Sequence, residues 1–155
     1  MNSEIRDAFW QALAGSPVMM VRLAAQGSTA HPMTAQLDRD ADGCFWFFMN
    51  RDNTLAAGGA AHADLSASGH TVFAAVEGTL TEETDRAVFD KLFTGDVAAW
   101  FKDGRNSPEI LLMRFDLGDA EIWKIDTTIA GLFHRLIGAP VRPGEAGKHD
   151  KGPLT

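Results

Sequence analysis

The sequence is 155 residues long, which is enough for one domain with a hydrophobic core and too short for two comfortable ones. Apolar residues make up 45% and charged residues 23%, as in ordinary globular proteins, and the formal net charge is -7. This negative charge argues against a nucleic-acid binder, which needs clustered Lys and Arg. No apolar run approaches membrane-spanning length, so we expect no membrane association.

The N-terminus lacks a basic segment followed by an apolar run, so we expect no signal peptide. Cys44 is the only cysteine, and a disulfide within the chain is therefore impossible. Both features favour a cytoplasmic protein. Beside Phe45, this cysteine is expected to pack as a small hydrophobic residue.

The chain begins with a predicted helix whose N-cap is Ser3 and which ends near Gly15. A first strand follows at residues 18–23. Residues 31–37 and 44–49 are predicted as strands two and three, joined by an Asp-Gly turn into a β-hairpin. Pro32 cannot donate a ladder hydrogen bond, so it marks strand two as an edge or a bulge.

Short helices and further strands fill the rest of the chain. A short helix is predicted after Thr54, ending at Gly58 and Gly59. The next predicted helix begins at Thr81 and places Glu82, Glu83 and Asp85 in its first turn. The remaining predictions are strands at 63–67, 71–80, 110–115 and 120–125, helices at 96–101 and 129–137, and a turn at 117–119.

About seven short strands with peripheral helices predict a mainly β fold, a small antiparallel barrel. A doubly wound α/β fold would need a full helix between successive strands, whereas tight turns join the first three strands here. We expect a single domain over residues 1–138. Pro, Gly and Lys dominate residues 139–155, which predicts a loosely ordered tail.

The strand over residues 44–49 is apolar at every position, so both of its faces should be covered. In a small barrel one face fills the interior. The other face then needs a helix, a ligand or a second chain. Too few helices are predicted to cover every such face, so a homodimer is the leading explanation.

Four short motifs occur in order along the chain. They are Pro32-Met33-Thr34 after a small turn, Trp46-Phe47-Phe48 leading to Arg51-Asp52, Ala99-Trp100-Phe101 with Asp103-Gly104, and Glu121-Ile122-Trp123. With the strand layout, they resemble the general stress protein branch of the pyridoxamine 5'-phosphate oxidase-like split barrels, which bind flavin mononucleotide (FMN). The resemblance covers about residues 8–137 and implies an antiparallel split β-barrel of the FMN-binding type.

The resemblance also implies a homodimer with two FMN sites at the subunit interface. In the family, the cofactor lies against the strand that corresponds to residues 31–36, and a tryptophan matching Trp123 comes from the other subunit. The cofactor-binding positions carried over in this way are His31, Met33, Thr34, Gln36, Phe48, Met49, Asn50, Arg51, Thr54, Leu55 and Trp123.

Two of these positions depart from the family pattern. Most relatives have arginine at the place of His31 and lysine at the place of Leu55, where they hold the flavin phosphate. Each charge-assisted partner of a phosphate is worth about 1.5–3 kcal/mol. Arg51 lies in the same loop and is one alternative donor; Thr54 and the following helix start are another.

Two functional hypotheses follow. The first is a flavin-dependent oxidoreductase that acts on an unknown small molecule; the cofactor performs the redox chemistry, so no catalytic side chain is assigned. The second is a cofactor-free or weakly binding ligand-sensing module on the same fold, motivated by His31 and Leu55. Oxidation of pyridoxamine phosphate itself would need a second basic pocket, which is not evident. The histidines show no metal-ligand spacing, so no metal site is expected.

Overall fold

The computed structural model describes residues 1–125 and 147–155 of the chain. The helices of these residues are α1 (Ser3–Gly15), α2 (Arg86–Leu92) and α3 (Gly95–Ala98). The strands are β1 (Val18–Leu23), β2 (His31–Thr34), β3 (Cys44–Asn50), β4 (Gly59–Ser66), β5 (Val72–Glu82), β6 (Ile110–Ile125) and β7 (Gly147–Pro153). Two 3-10 turns, Thr54–Ala57 and Ser68–His70, precede β4 and β5. No helix in the described ranges is long and apolar enough to cross a membrane.

The described strands form one antiparallel sheet with the order β2-β1-β4-β5-β6-β3. Strand β6 pairs with β3 through its first half and with β7 through its second half. The two ends of the sheet meet at a single bridge between Gln36 and Trp46, whose N–H groups donate to each other's carbonyls at 2.7 and 3.1 Å. The predicted split barrel is therefore confirmed, and Pro32 lies in its edge strand as expected.

The predicted hairpin of strands two and three is reduced to the one bridge between Gln36 and Trp46. Strand β2 pairs with β1, where Met33 lies opposite Met19, and β3 pairs with β6 along its whole length. Strand β3 is apolar on both faces, and so is the first half of β6. The two strands therefore suit the same part of the sheet, where both faces are covered. The Asp-Gly segment therefore connects strands from opposite ends of the sheet.

The predicted turn at residues 117–119 is also absent, since β6 runs through it without a break. An irregularity does lie there, since Val76 pairs with Ala120 and Gly78 with Leu117, so that Gly118 and Asp119 of β6 together face Glu77 of β5. A Cβ atom at Gly78 would collide with the Phe115 ring and the Asp116 carbonyl. A bulge at a glycine therefore accommodates the sequence that the pattern assigned to a turn.

The helix starts differ from the prediction in two places. Asn2, not Ser3, caps α1, and its side-chain oxygen accepts from the Glu4 N–H at 2.8 Å. Helix α2 begins at Arg86, because β5 continues through Glu82 and Asp85 serves as the N-cap. Only α3 forms from the predicted helix over residues 96–101. The predicted helix over 129–137 lies outside the described residues.

The buried side chains form two clusters, one on each face of β3. Phe45, Phe47 and Met49 point into the barrel, where Ile5, Phe9 and Leu13 of α1 join them. Cys44, Trp46 and Phe48 point outward and are covered by Phe89 and Leu92 of α2, the following Phe93, and Val97 of α3. Burial raises the pKa of the Cys44 thiol, as suits a packing residue. The chain's own helices cover this face, so β3 gives no reason to expect a dimer.

The C-terminal residues were expected to be loosely ordered from Ala139 onward, but residues 147–153 form β7. Seven residue pairs join β7 to β6. Leu154 is fully buried in the barrel core, and Lys148 contacts Glu4 of α1 at 2.7 Å. Residues 147–155 contain few apolar side chains. They are ordered by backbone pairing with the edge of β6 and by the burial of Leu154.

Candidate functional site

The outer surface of β1 and β2 carries an exposed apolar area. Met19 and Val21 of β1 point into the barrel, so Val18, Met20 and Arg22 point outward. Val18 is 51% and Met20 44% exposed, unusually high values for large apolar side chains on a sheet. Thr34 and Pro32 of β2 lie opposite Val18 and Met20 and are also exposed. We call Val18, Met20, Arg22, Pro32 and Thr34 the outer stripe.

His31 and Thr54, two predicted site residues, lie together at one end of the barrel. The His31 ring nitrogen Nε2 is 3.0 Å from the Thr54 hydroxyl oxygen, and this contact ties β2 to the 3-10 turn at Thr54–Ala57. Met33, two residues further along β2, packs partly against the barrel core. Both Thr34 and Pro32 of the predicted strand belong to the outer stripe instead, because strand neighbours alternate between faces.

Leu55 follows Thr54, but its side chain faces the barrel core and is only 1% exposed. Its N–H donates to the Asn53 side-chain oxygen at 2.9 Å, which fixes the start of the 3-10 turn. The Leu55 side chain therefore reaches no surface where a ligand could touch it. Only the backbone of this residue remains for such a contact.

Arg51 is turned away from β2. Its Nε donates to the Pro108 carbonyl at 2.7 Å, and its Nη2 lies 3.3 Å from a Glu82 carboxylate oxygen. The guanidinium lines an open groove of about 270 Å³ together with Glu83, Arg86 and other residues at the start of α2. Asn50, just before it, is exposed and accepts the Asn53 N–H through its carbonyl. Arg51 thus lies beside the second cluster, near Phe89 and Leu112, and not in the outer stripe.

The other β3 positions are structural in this chain. Met49 is buried in the barrel, and Phe48 lies in the second cluster with its ring centroid 5.2 Å from that of Phe89. Gln36 contributes its backbone to the bridge with Trp46 that closes the barrel. None of these three side chains belongs to the outer stripe.

Trp123 lies on the same face of the sheet as the outer stripe but near its other side. The register places it between Phe73 of β5 and His149 of β7, and all three side chains are half-buried. Four strand spacings separate β6 from β2, which is about 19 Å along the sheet. Trp123 therefore does not meet β2 within one chain.

Three residues beside Trp123 were missed by the sequence reasoning. The His149 ring lies 5.3 Å from the Trp123 ring, and the His70 ring stacks on Phe73 at 6.2 Å. We call His70, Phe73, Trp123 and His149 the aromatic strip. Phe73 could have been found from its place on the wet face of an alternating strand. No local signal places His149, because its pairing with β6 is long-range.

A family profile shows to which protein family the chain belongs. The profile described as "Pyridoxamine 5'-phosphate oxidase like" matches residues 4–142, most of the chain. The chain belongs to the pyridoxamine 5'-phosphate oxidase-like family. Comparison with curated proteins gives no match.

Three solved structures show the same family resemblance. A general stress family protein from Xanthomonas campestris pv. campestris is 38% identical, with a TM-score of 0.74, over 82% of this chain and 91% of that one. The general stress FMN/FAD binding protein from Xanthomonas citri is 36% identical, with a TM-score of 0.76, over 83% and 94%. General stress protein 26 from Jannaschia sp. CCS1 is 25% identical, with a TM-score of 0.78, over 97% and 98%.

A flavin of the pyridoxamine 5'-phosphate oxidase-like family needs a surface for its ring system and a place for its phosphate. The outer stripe suits the ring, since it is flat, apolar and accessible. The two phosphate positions implied by the resemblance suit it poorly, since His31 contacts Thr54 and Leu55 is buried. The alternative donor Arg51 contacts Glu82. The residues present therefore fit the ring of a flavin better than its phosphate.

Proposed function

We propose that this protein binds FMN on the outer stripe and serves as a flavin-dependent oxidoreductase for a small molecule. The observation that carries the proposal is the exposure of Val18 and Met20 on a sheet face that also bears Trp123. Large apolar side chains that lie together on an exposed sheet face often mark a binding surface. The family relationship supports a flavin as the occupant.

We further propose a homodimer in which each site uses both copies. In a two-fold dimer both chains use the same surface. A region on one side of the axis in one chain therefore contacts the region on the other side of the axis in its partner. With the axis over β4 and β5, the aromatic strip of one copy faces the outer stripe of the other. This arrangement supports the implied role of Trp123, which lies too far from β2 within one chain. A planar ring between the two surfaces would be shielded from water on both faces.

In this proposal the bound flavin supplies the electron or hydride transfer, and the chain supplies position. Met20 and Pro32 support one face of the ring, while Trp123 of the second copy covers the other. Thr34 offers a hydroxyl at the edge of the stripe, and His31 with Thr54 marks one end of β2. No side chain is assigned to proton transfer. A cytoplasmic location is proposed on the single cysteine alone.

The direct test is the visible absorption spectrum of the purified protein, followed by titration with FMN. We expect flavin absorbance or saturable uptake, together with a dimeric mass by light scattering. Trp123→Ala should weaken FMN binding, because it removes the proposed cover of the ring. Trp100→Ala is the matched control, since Trp100 is 82% exposed and lies outside both the outer stripe and the aromatic strip. Absence of flavin in the purified protein and in the titration would reject the proposal.

A cofactor-free ligand-binding module remains the second candidate, and the burial of Leu55 favours it. A lysine cannot be restored at this position without placing a charge in the core, so His31→Arg is the usable variant. The module hypothesis expects His31→Arg to create FMN binding that the wild type lacks. It fails if the wild type already binds FMN as tightly as the variant.

A further inference from the structure

Arg22 stands at one end of the outer stripe. It follows Val18 and Met20 at two-residue spacing on the outward face of β1, so the stripe changes from apolar to cationic along the strand. At about 3.4 Å per residue, Val18 and Arg22 are roughly 14 Å apart. The β1–β4 register sets His62 directly opposite Arg22. Both side chains are half-buried.

The Arg22 guanidinium has no ion pair or side-chain hydrogen bond to any residue in the described part of the chain. Asp64 and Glu77 are the nearest carboxylates by register, opposite Met20 and His62, yet neither pairs with Arg22. By contrast, Arg51, Arg86 and Arg114 each contact a carboxylate; the salt bridges are Arg51–Glu82, Arg86–Asp90 and Arg114–Asp116. In a chain of net charge -7, a half-buried cation without such a partner is notable.

An apolar surface that ends in an unpaired guanidinium suits a ligand with an apolar ring and an anionic tail. A guanidinium binds phosphate through parallel N–H donors, and an imidazole beside it offers one donor more. The resemblance implies a phosphate contact at position 55, where Leu55 is buried, and the alternative donor Arg51 is held by Glu82. Arg22 is the arginine of the described chain that lies on the same surface as Met20.

We propose that Arg22, assisted by His62, binds the flavin phosphate in this protein, in place of the basic residues that its relatives carry at positions 31 and 55. The inference rests on the proposed function, since it concerns the same flavin. It assigns the ring to Val18 and Met20 and the anionic tail to the far end of β1. The site thereby retains selectivity for phosphorylated flavin despite His31 and Leu55.

The test compares FMN with riboflavin, which has the same ring but no phosphate, by fluorescence titration of the full chain. Arg22→Gln should weaken FMN binding about ten- to a hundredfold, the usual effect of one charge-assisted contact. Riboflavin binding should change less than about threefold, because the ring surface is intact. Arg39→Gln is the matched control, since Arg39 is an exposed arginine in the loop after β2.

Arg22→Gln is expected to fold, because the side chain it shortens makes no side-chain hydrogen bond or ion pair within the described residues. Thermal unfolding of the variant checks this, and Arg22→Lys should retain part of the FMN affinity. Equal FMN affinity in Arg22→Gln and wild type would overturn the inference and leave the proposed function standing. So would a wild type that binds riboflavin as tightly as FMN. If the wild type binds neither flavin, both the inference and the proposed function fail.

Discussion

His149 Nε2 and Glu121 Oε1 lie 2.8 Å apart, joining the C-terminal strand β7 to the middle of the second half of β6. Both side chains are only partly exposed, at 22% and 34%. The contact holds the His149 ring against Trp123. The position of the aromatic strip therefore depends on a segment that the sequence assigned to a loose tail.

His149→Gln and Glu121→Gln should each destabilise the docking of β7, and the two effects should not add. A partly exposed pair of this kind is expected to show a coupling free energy of about 0.5–1.5 kcal/mol. Urea unfolding of the two single variants and the double variant measures it. Trp123 fluorescence should shift in both single variants, because the neighbouring ring moves. Strictly additive effects would mean that the two side chains do not interact in solution.

Leu154→Ala should lower the free energy of unfolding by about 2–5 kcal/mol, since it empties a fully buried site in the barrel core. Chemical denaturation gives the value directly. Thr155→Ala, one residue further on and exposed, is the control and should be neutral. A neutral Leu154→Ala variant would show that β7 and its anchor are not docked in solution.

Gly78→Ala should destabilise the barrel by about 1–3 kcal/mol, because the new methyl group meets the Phe115 ring and the Asp116 carbonyl. Gly95→Ala makes the same chemical change at the start of α3, where a Cβ meets no atom within 4 Å. Thermal unfolding of the two variants should separate them clearly. Similar melting temperatures would argue against the close approach of Gly78 to β6.

Glu4 should give the fold a pH-dependent contribution. Hydrogen bonds from Lys148 and then Lys124 lower the pKa of this carboxyl group below its ordinary value of 4.5. A lowered carboxyl pKa adds stability above the unfolded-state value, and this stability is lost as the pH falls through the folded-state value. Glu4→Gln should therefore lower the melting temperature at neutral pH and have little effect in strong acid. Asp7→Asn, which changes a carboxylate of the same helix that makes no contact with these two lysines, is the control.

The sequence predicted the class of fold because its local patterns are strong. The apolar run of β3 and the alternation in β4 each require a sheet and predict a small antiparallel barrel, whereas the split-barrel type was implied by the resemblance. The pairing of strands was harder to predict, since the Asp-Gly turn after Asp40 suggested a full hairpin where the structure has one bridge. Turn residues report local backbone geometry, whereas the partner of a strand depends on which apolar faces meet.

The candidate site was only partly accessible to such reasoning. The resemblance indicated the β2 strand and Trp123, but not that Leu55 would be buried or that Arg51 would be held by Glu82. Arg22 was not singled out, because an arginine in an apolar run looks like an ordinary exposed strand residue. Its significance depends on the register with His62 and on the carboxylates that it does not contact.

The bridge between Gln36 and Trp46 has a mechanical consequence. Two hydrogen bonds close the barrel there, while seven residue pairs join β3 to β6. Strands β1 and β2 are therefore paired with β4 on one side and joined to β3 by this bridge on the other. A molecule bound on their outer surface can shift them without breaking the β3–β6 ladder. Adaptation to ligands of different thickness is expected at the Gln36–Trp46 bridge, together with a shift of the core residues Met19 and Val21.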